Sequence, residues 1–168
     1  MKVTIKDTNN IPAIKKQLKQ LEKSSLKVGV FGDFADEIVT IARVHEYGCD
    51  ISVTPKMRKW FAANGYPLKA STTVIHIPER SFIRSGHDEN IDKIVGKIEG
   101  FIPDLFENEV NIDVFMDQIG MEFANLIQKK LRAITNPPNS AMTIERKGSS
   151  NPLMDSGRLV QSITHRVE

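Results

Sequence analysis

Histidine, serine and lysine are the residue types whose spacing separates a reactive site from a scaffold. The 168-residue chain has four histidines, His45, His76, His87 and His165. A metal centre wants two rings at HxH or HxxxH spacing, where one strand or helix face aims both at one ion. No pair has that spacing, so neither a metal nor a cofactor is expected. His76 or His165 with a serine would make a hydrolytic pair. However, Asp155-Ser156-Gly157 is not a GxSxG elbow, and Ser156 reads as a helix cap. Lys147-Gly148-Ser149-Ser150 has the composition of a phosphate cradle, but the upstream glycine of a P-loop is missing. It reads as a solvated turn.

Two basic stretches remain. Lys56, Arg58 and Lys59 lie beside Trp60 and Phe61, a mixture of cation and aromatic that single-strand nucleic-acid platforms use. The competing reading is a short amphipathic helix with both rings inward and the lysines outside. A formal net charge of only +2 favours the latter. Glu79-Arg80 sits between Pro78 and Phe82. A proline and an apolar ring around an arginine make a rigid strand exit carrying one bidentate donor. Its partner is either a carboxylate of the same chain or a group on another subunit, and the residue types leave both open.

Cys49 is the sole cysteine, so no intrachain disulfide and no thiolate zinc site can form. That suits a reducing compartment. The first ten residues, MKVTIKDTNN, lack the apolar core of a signal peptide. No apolar run approaches the roughly 20 residues of a membrane helix. The expectation is a soluble intracellular protein without membrane contact.

The elements that must position these residues follow from periodicity. Lys2–Lys6 alternates as a short strand. Ile11, Ile14, Leu18 and Leu21 make one helical stripe, introduced by Asn9, Asn10 and Pro12 and ended by Ser24 and Ser25. Leu26–Phe31 reads as a strand. Ile38, Ile41, Ala42 and His45 mark a helix capped by Asp33 or Asp36 and closed at Gly48. Pro55 starts a short helix that Asn64-Gly65 breaks, and Thr72–Ile77 is β-branched enough for a strand. Asp88 is the expected cap of a helix buried along Ile91, Ile94, Val95, Ile98 and Ile102. Val114–Ile134 is a long helix stopped by Asn136-Pro137-Pro138. Pro137–Gly157 is polar and rich in turn formers, a length reserved for disordered or functional loops. Asp155 or Ser156 then caps a brief turn before a last strand, Ser162–Val167. Few strands and longer helices predict an α+β fold, with about four strands in a small mixed or antiparallel sheet against two long helices. Residues 1–168 form one domain, with 50–73 as an insertion and 136–157 as an extended arm.

Four stretches stand in a telling order: VGVFGD (Val28–Asp33), IARVHEYG (Ile41–Gly48), IPERSFIRSG (Ile77–Gly86) and the closing segment Pro137–Val167 with KGSSNPLMDSGRLVQSI inside it. This set resembles the tailed-bacteriophage neck or tail-completion proteins, the virion morphogenesis or head–tail joining family. Ser81 stands where many relatives have a second proline, and Asp50–Thr73 is longer than their usual link. The resemblance implies a non-enzymatic virion component, assembled in the host cytoplasm. It implies a ring of identical subunits, sixfold or twelvefold, at the head–tail junction, meeting connector and tail proteins with genomic DNA as a channel neighbour. The PERSF and KG…PL.DSG patterns favour tail completion over a tail terminator or connector stopper. The implied subunit-interface residues are Pro78, Glu79, Arg80 and Phe82 in the turn, and Thr143, Lys147, Pro152, Leu153, Asp155 and Arg158 in the arm. The arm reads as a docking element, ordered on contact with a neighbour. Deleting Ala141–Ser150 is then expected to leave a folded monomer that forms no ring.

Overall fold

The computed structural model describes residues 9–104 and 111–168; the strand expected over Lys2–Lys6 lies outside them. Helix α1 (Ile11–Lys23) has Pro12 in its first turn and ends at Ser24, whose hydroxyl donates back to the Gln20 carbonyl at 2.9 Å. Strand β1 (Leu26–Val30) leads to α2 (Asp36–Tyr47). Ala35 occupies the cap of α2 in place of Asp33 or Asp36, and Asp36 falls inside its first turn. Gly48 closes α2 at φ +72°. A side chain there would be strained by that φ and would also meet Glu79 N and Ile77 O at 3.1 Å.

Strand β2 (Cys49–Ser52), helix α3 (Pro55–Ala63) and strand β3 (Val74–Ile77) form the next unit. Thr54 caps α3, accepting from Met57 N at 3.2 Å. Arg58 fastens the following loop by donating to the carbonyls of Lys69 at 3.0 Å and Ala70 at 3.3 Å, and to Thr72. The stretch 50–73 is therefore an ordered strand–helix excursion. Beyond β3 come α4 (Ile83–Asp88), α5 (Ile91–Phe101), α6 (Ile112–Ala133), α7 (Ala141–Lys147), α8 (Arg158–Gln161) and β4 (Ile163–Val167).

Helix α6 organises the molecule. Its inward residues Ile112, Met116, Ile119, Phe123, Ile127 and Leu131 recur every three or four positions. It packs on β4, β1 and α4, and this packing sustains it, since a lone helix is marginal in water. β1 and β4 pair antiparallel from Leu26↔Val167 to Val30↔Ile163. Reciprocal bonds between Ser25 and Glu168 lengthen the ladder. Phe82, Ile94, Leu153, Leu159 and Ile163 complete the core around α6.

The α+β class holds. The four strands among the described residues pair as two separate two-stranded antiparallel sheets, β1–β4 and β2–β3, where one sheet of about four was expected. β2 and β3 are joined through α3 and satisfy each other locally. Several local expectations change. Asp88 is the last residue of α4, and Asn90 precedes α5. Val95 faces out, 41% exposed. Gly157, left-handed at φ +80°, precedes α8 in place of Asp155 or Ser156 as a cap. The expected arm of 136–157 contains α7, and Pro152 and Leu153 within it are buried. It is a wall of the fold, because its few apolar residues suffice to anchor it.

Candidate functional site

The Glu46 carboxylate is held by five hydrogen bonds among the described residues. It lies in the last turn of α2, 3% exposed. An acid there opposes the dipole of its own helix. Its carboxylate instead meets the start of α4. Oε2 accepts from the backbone N–H groups of Phe82 and Ile83, each at 2.9 Å. Oε1 accepts from Arg84 N at 2.9 Å, from the Ser81 hydroxyl at 2.7 Å and from Arg84 Nε at 3.1 Å. One carboxylate thus satisfies the orphan donors of a helix almost forty residues away in sequence. Burial raises its pKa, and the hydrogen bonds from Arg84, Ile83, Ser81 and Phe82 outweigh that and hold it below the ordinary value.

Arg80 performs the neighbouring task. It is 5% exposed. Its backbone N–H donates to His45 O at 2.7 Å. Its Nε donates to Pro137 O at 2.7 Å and its Nη2 to Pro138 O at 3.0 Å, with Asn139 Oδ1 at 3.5 Å. Among the described residues Nη1 meets only the His45 ring, at 3.5 Å. Its partners within the chain are therefore carbonyl oxygens, and none of the described carboxylates pairs with it, unlike the intrachain salt bridge considered from sequence. Burial lowers its pKa. Burial likewise lowers His45 to about 4, with Arg80 and Lys147 adding to the effect. Lys147 lies on the far side, donating to Asn151 O at 3.0 Å and Pro152 O at 3.2 Å. Burial and Arg80 lower its pKa, while Asp155 opposes them.

The ten residues implied by the resemblance fall around this cluster in different ways. Thr143, Lys147, Pro152, Leu153, Asp155 and Arg158 all line a cavity of about 280 Å³ against α2. Pro78, Arg80 and Thr143 line a second cleft of about 700 Å³, between the β2–α3–β3 unit and the 138–143 segment. Glu79 is exposed and pairs with Arg84 at 2.6 Å. Four of the ten are engaged inside the subunit: Phe82 is fully buried, and Arg80, Pro152 and Leu153 are buried as well. Within the subunit these four support the fold from inside. Thr143 and Lys147 are half-buried, while Asp155 and Arg158 stay accessible, Arg158 opposite Glu37 at 3.5 Å.

Sequence reasoning missed Glu46 and Asn139. The placement of an acid in the last turn of a helix was the available signal for Glu46. Asn139 carried none.

His76 pairs with Asp50 at 2.5 Å, and His165 with Asp117 at 2.8 Å. Among the described residues no serine hydroxyl is hydrogen-bonded to either ring. On α3, Phe61 turns partly inward, but Trp60 is 43% exposed, with the Arg146 guanidinium 5.0 Å above its ring. The expectation of two inward rings is half met. No described helix is long and apolar enough to cross a membrane. Comparisons with family models, curated proteins and solved structures return no significant match to this chain.

Proposed function

We propose that this chain is a structural component of a tailed-phage virion, a ring-forming neck or tail-completion protein at the head–tail junction. One observation carries the reading. Three of the stretches that resemble that family, far apart in sequence, close on one another through a single polar cluster. Glu46 of HEYG receives the N–H groups of Phe82, which ends PERSF, and of Ile83 and Arg84 after it. Arg80 of the same PERSF holds the carbonyls at the head of the closing segment. Lys147 of KG ties down the NPL turn. Polar groups so engaged build a rigid body whose outer faces are free for neighbours, which a closed ring of identical subunits requires.

In this reading the protein makes and breaks no bond, and DNA passes it as a neighbour in the channel. Tail terminator and connector stopper are the alternative positions in the same particle. Sedimentation and negative-stain microscopy of the purified protein, alone and with tails, provide the test. Closed rings or attachment to tails are expected. A chain that stays monomeric at high concentration and ignores tails overturns the proposal.

A further inference from the structure

The guanidinium of Arg80 is a buried cation without a counter-ion among the described residues. Its bonds go to neutral carbonyls, and no carboxylate among the described residues pairs with it. A buried charge left in that state is unfavourable unless a partner arrives. Beside it, Asn139 turns its Oδ1 to Arg80. That orientation is the one the guanidinium, a pure donor, demands. It leaves Asn139 Nδ2 buried with no acceptor among the described residues. Two donors thus want the same thing, an acceptor of negative charge.

Both residues lie on the wall of the 700 Å³ cleft, together with Phe61, Leu68 and Met142. The apolar surface and the single focused cation suit one carboxylate carried on an apolar segment. They suit a polyphosphate backbone poorly, since that would demand several exposed cations. His45 on the same wall stays neutral at pH 7, its pKa held to about 4, and offers no competing charge.

We infer that the cleft between the β2–α3–β3 unit and the 138–143 segment is a docking slot for an aspartate or glutamate side chain of another protein chain. Its carboxylate is received by Arg80 and the Asn139 amide, and its apolar neighbour lies on Phe61, Leu68 and Met142. This deepens the assembly reading, and rests on it only for which chain supplies the acid.

The ¹⁵N-labelled full chain would be titrated with acetyl-Leu-Glu-Leu-amide, its Gln counterpart, inorganic phosphate and a short thymidine oligonucleotide. The Asn139 side-chain amide is the reporter. The Glu peptide is expected to shift it saturably, and the Gln peptide to bind roughly tenfold more weakly or less, as loss of one charged hydrogen-bonded partner implies. Asn139→Asp, which places a carboxylate beside Arg80, is expected to remove peptide binding and raise the melting temperature by about 2–4 °C. Equal response to both peptides, response only to phosphate or the oligonucleotide, or no shift with any probe would each overturn the slot. These titrations use the unmodified chain, so they decide even if the variant fails to fold. Rings that form normally while every probe is ignored would sink the slot and leave the assembly reading standing. A saturable Glu peptide on a chain that never associates would do the reverse.

Discussion

Glu46 and His45 are adjacent in sequence and set two different acid limits on the same junction. In the unfolded chain His45 takes its proton near 6.5, and in the folded chain only near 4. Between those values the unfolded state binds more protons, so stability falls as pH drops through that window and is level below it. Arg80 and Lys147 are the cations that face the ring. Glu46 acts later. Its folded carboxyl is depressed below 4.5 by hydrogen bonds that overcome its burial. Its contribution is complete above 4.5 and disappears as pH falls through the folded value. Urea midpoints measured across the acid range should therefore decline in two stages. His45→Gln should flatten the first stage. Glu46→Gln should flatten the second, and should cost about 2–4 kcal/mol at neutral pH because buried N–H donors of α4 lose their acceptor. A single-stage decline unaltered by either change would contradict this assignment.

At the level of elements, the contact of α6 with the β1–β4 ladder depends on the absence of a side chain at Gly120. A Cβ there would stand 2.7 Å from His165 Cγ and from Leu26 Cδ1, closer than packed atoms come. Gly120→Ala should destabilise by about 1–3 kcal/mol through overpacking. His165→Ala clears most of that space, so the double variant should lose less than the sum of the two singles, a coupling that chemical denaturation measures. Strict additivity would show that the ladder moves away instead. The same elements explain what was legible in the sequence. α1, α2, α3 and α6 carry periodic apolar positions bounded by Asn, Pro or Gly, which are local signals, and they were read to within a few residues. α4 was missed because its N-terminal donors are satisfied by Glu46, a cap no neighbouring residue announces. β2 was missed because Cys49–Ser52 is short and gains its meaning only from β3 opposite. α7 was overlooked in a polar stretch although its boundaries were written locally: the Ser140 hydroxyl accepts from Thr143 N at 3.3 Å, and Gly148 ends the helix in the left-handed region. Of the site, the residues around Pro78–Phe82 and Lys147–Arg158 were legible as a set. That four of them face inward depends on packing, which no local pattern encodes.

For the whole molecule, the wall formed by 137–157 changes what a deletion should do. Removing Ala141–Ser150 takes away Lys147, which holds the Asn151 and Pro152 carbonyls, and uncovers Leu153. The chain is now expected to melt earlier, so loss of assembly in that variant would say little about docking. Surface residues are the cleaner test. Tyr47, Trp60 and Val74 are exposed in or beside the β2–α3–β3 unit. Val114 and Met121 are exposed on α6, seven residues apart and so on one face. In a ring each subunit offers one surface to the neighbour ahead and a different one to the neighbour behind. If these two sets are those surfaces, Tyr47→Ser with Trp60→Ser should break the ring, and so should Val114→Ser with Met121→Ser. Neither pair should shift the melting temperature by more than a degree or two, since little is buried there. Mixed one to one, the two variants still share a single intact pair of surfaces and should sediment as a heterodimer that goes no further. An isologous contact would behave differently, because both partners would carry the same damaged surface in every homodimer. Full rings from either variant alone would show that neither surface takes part.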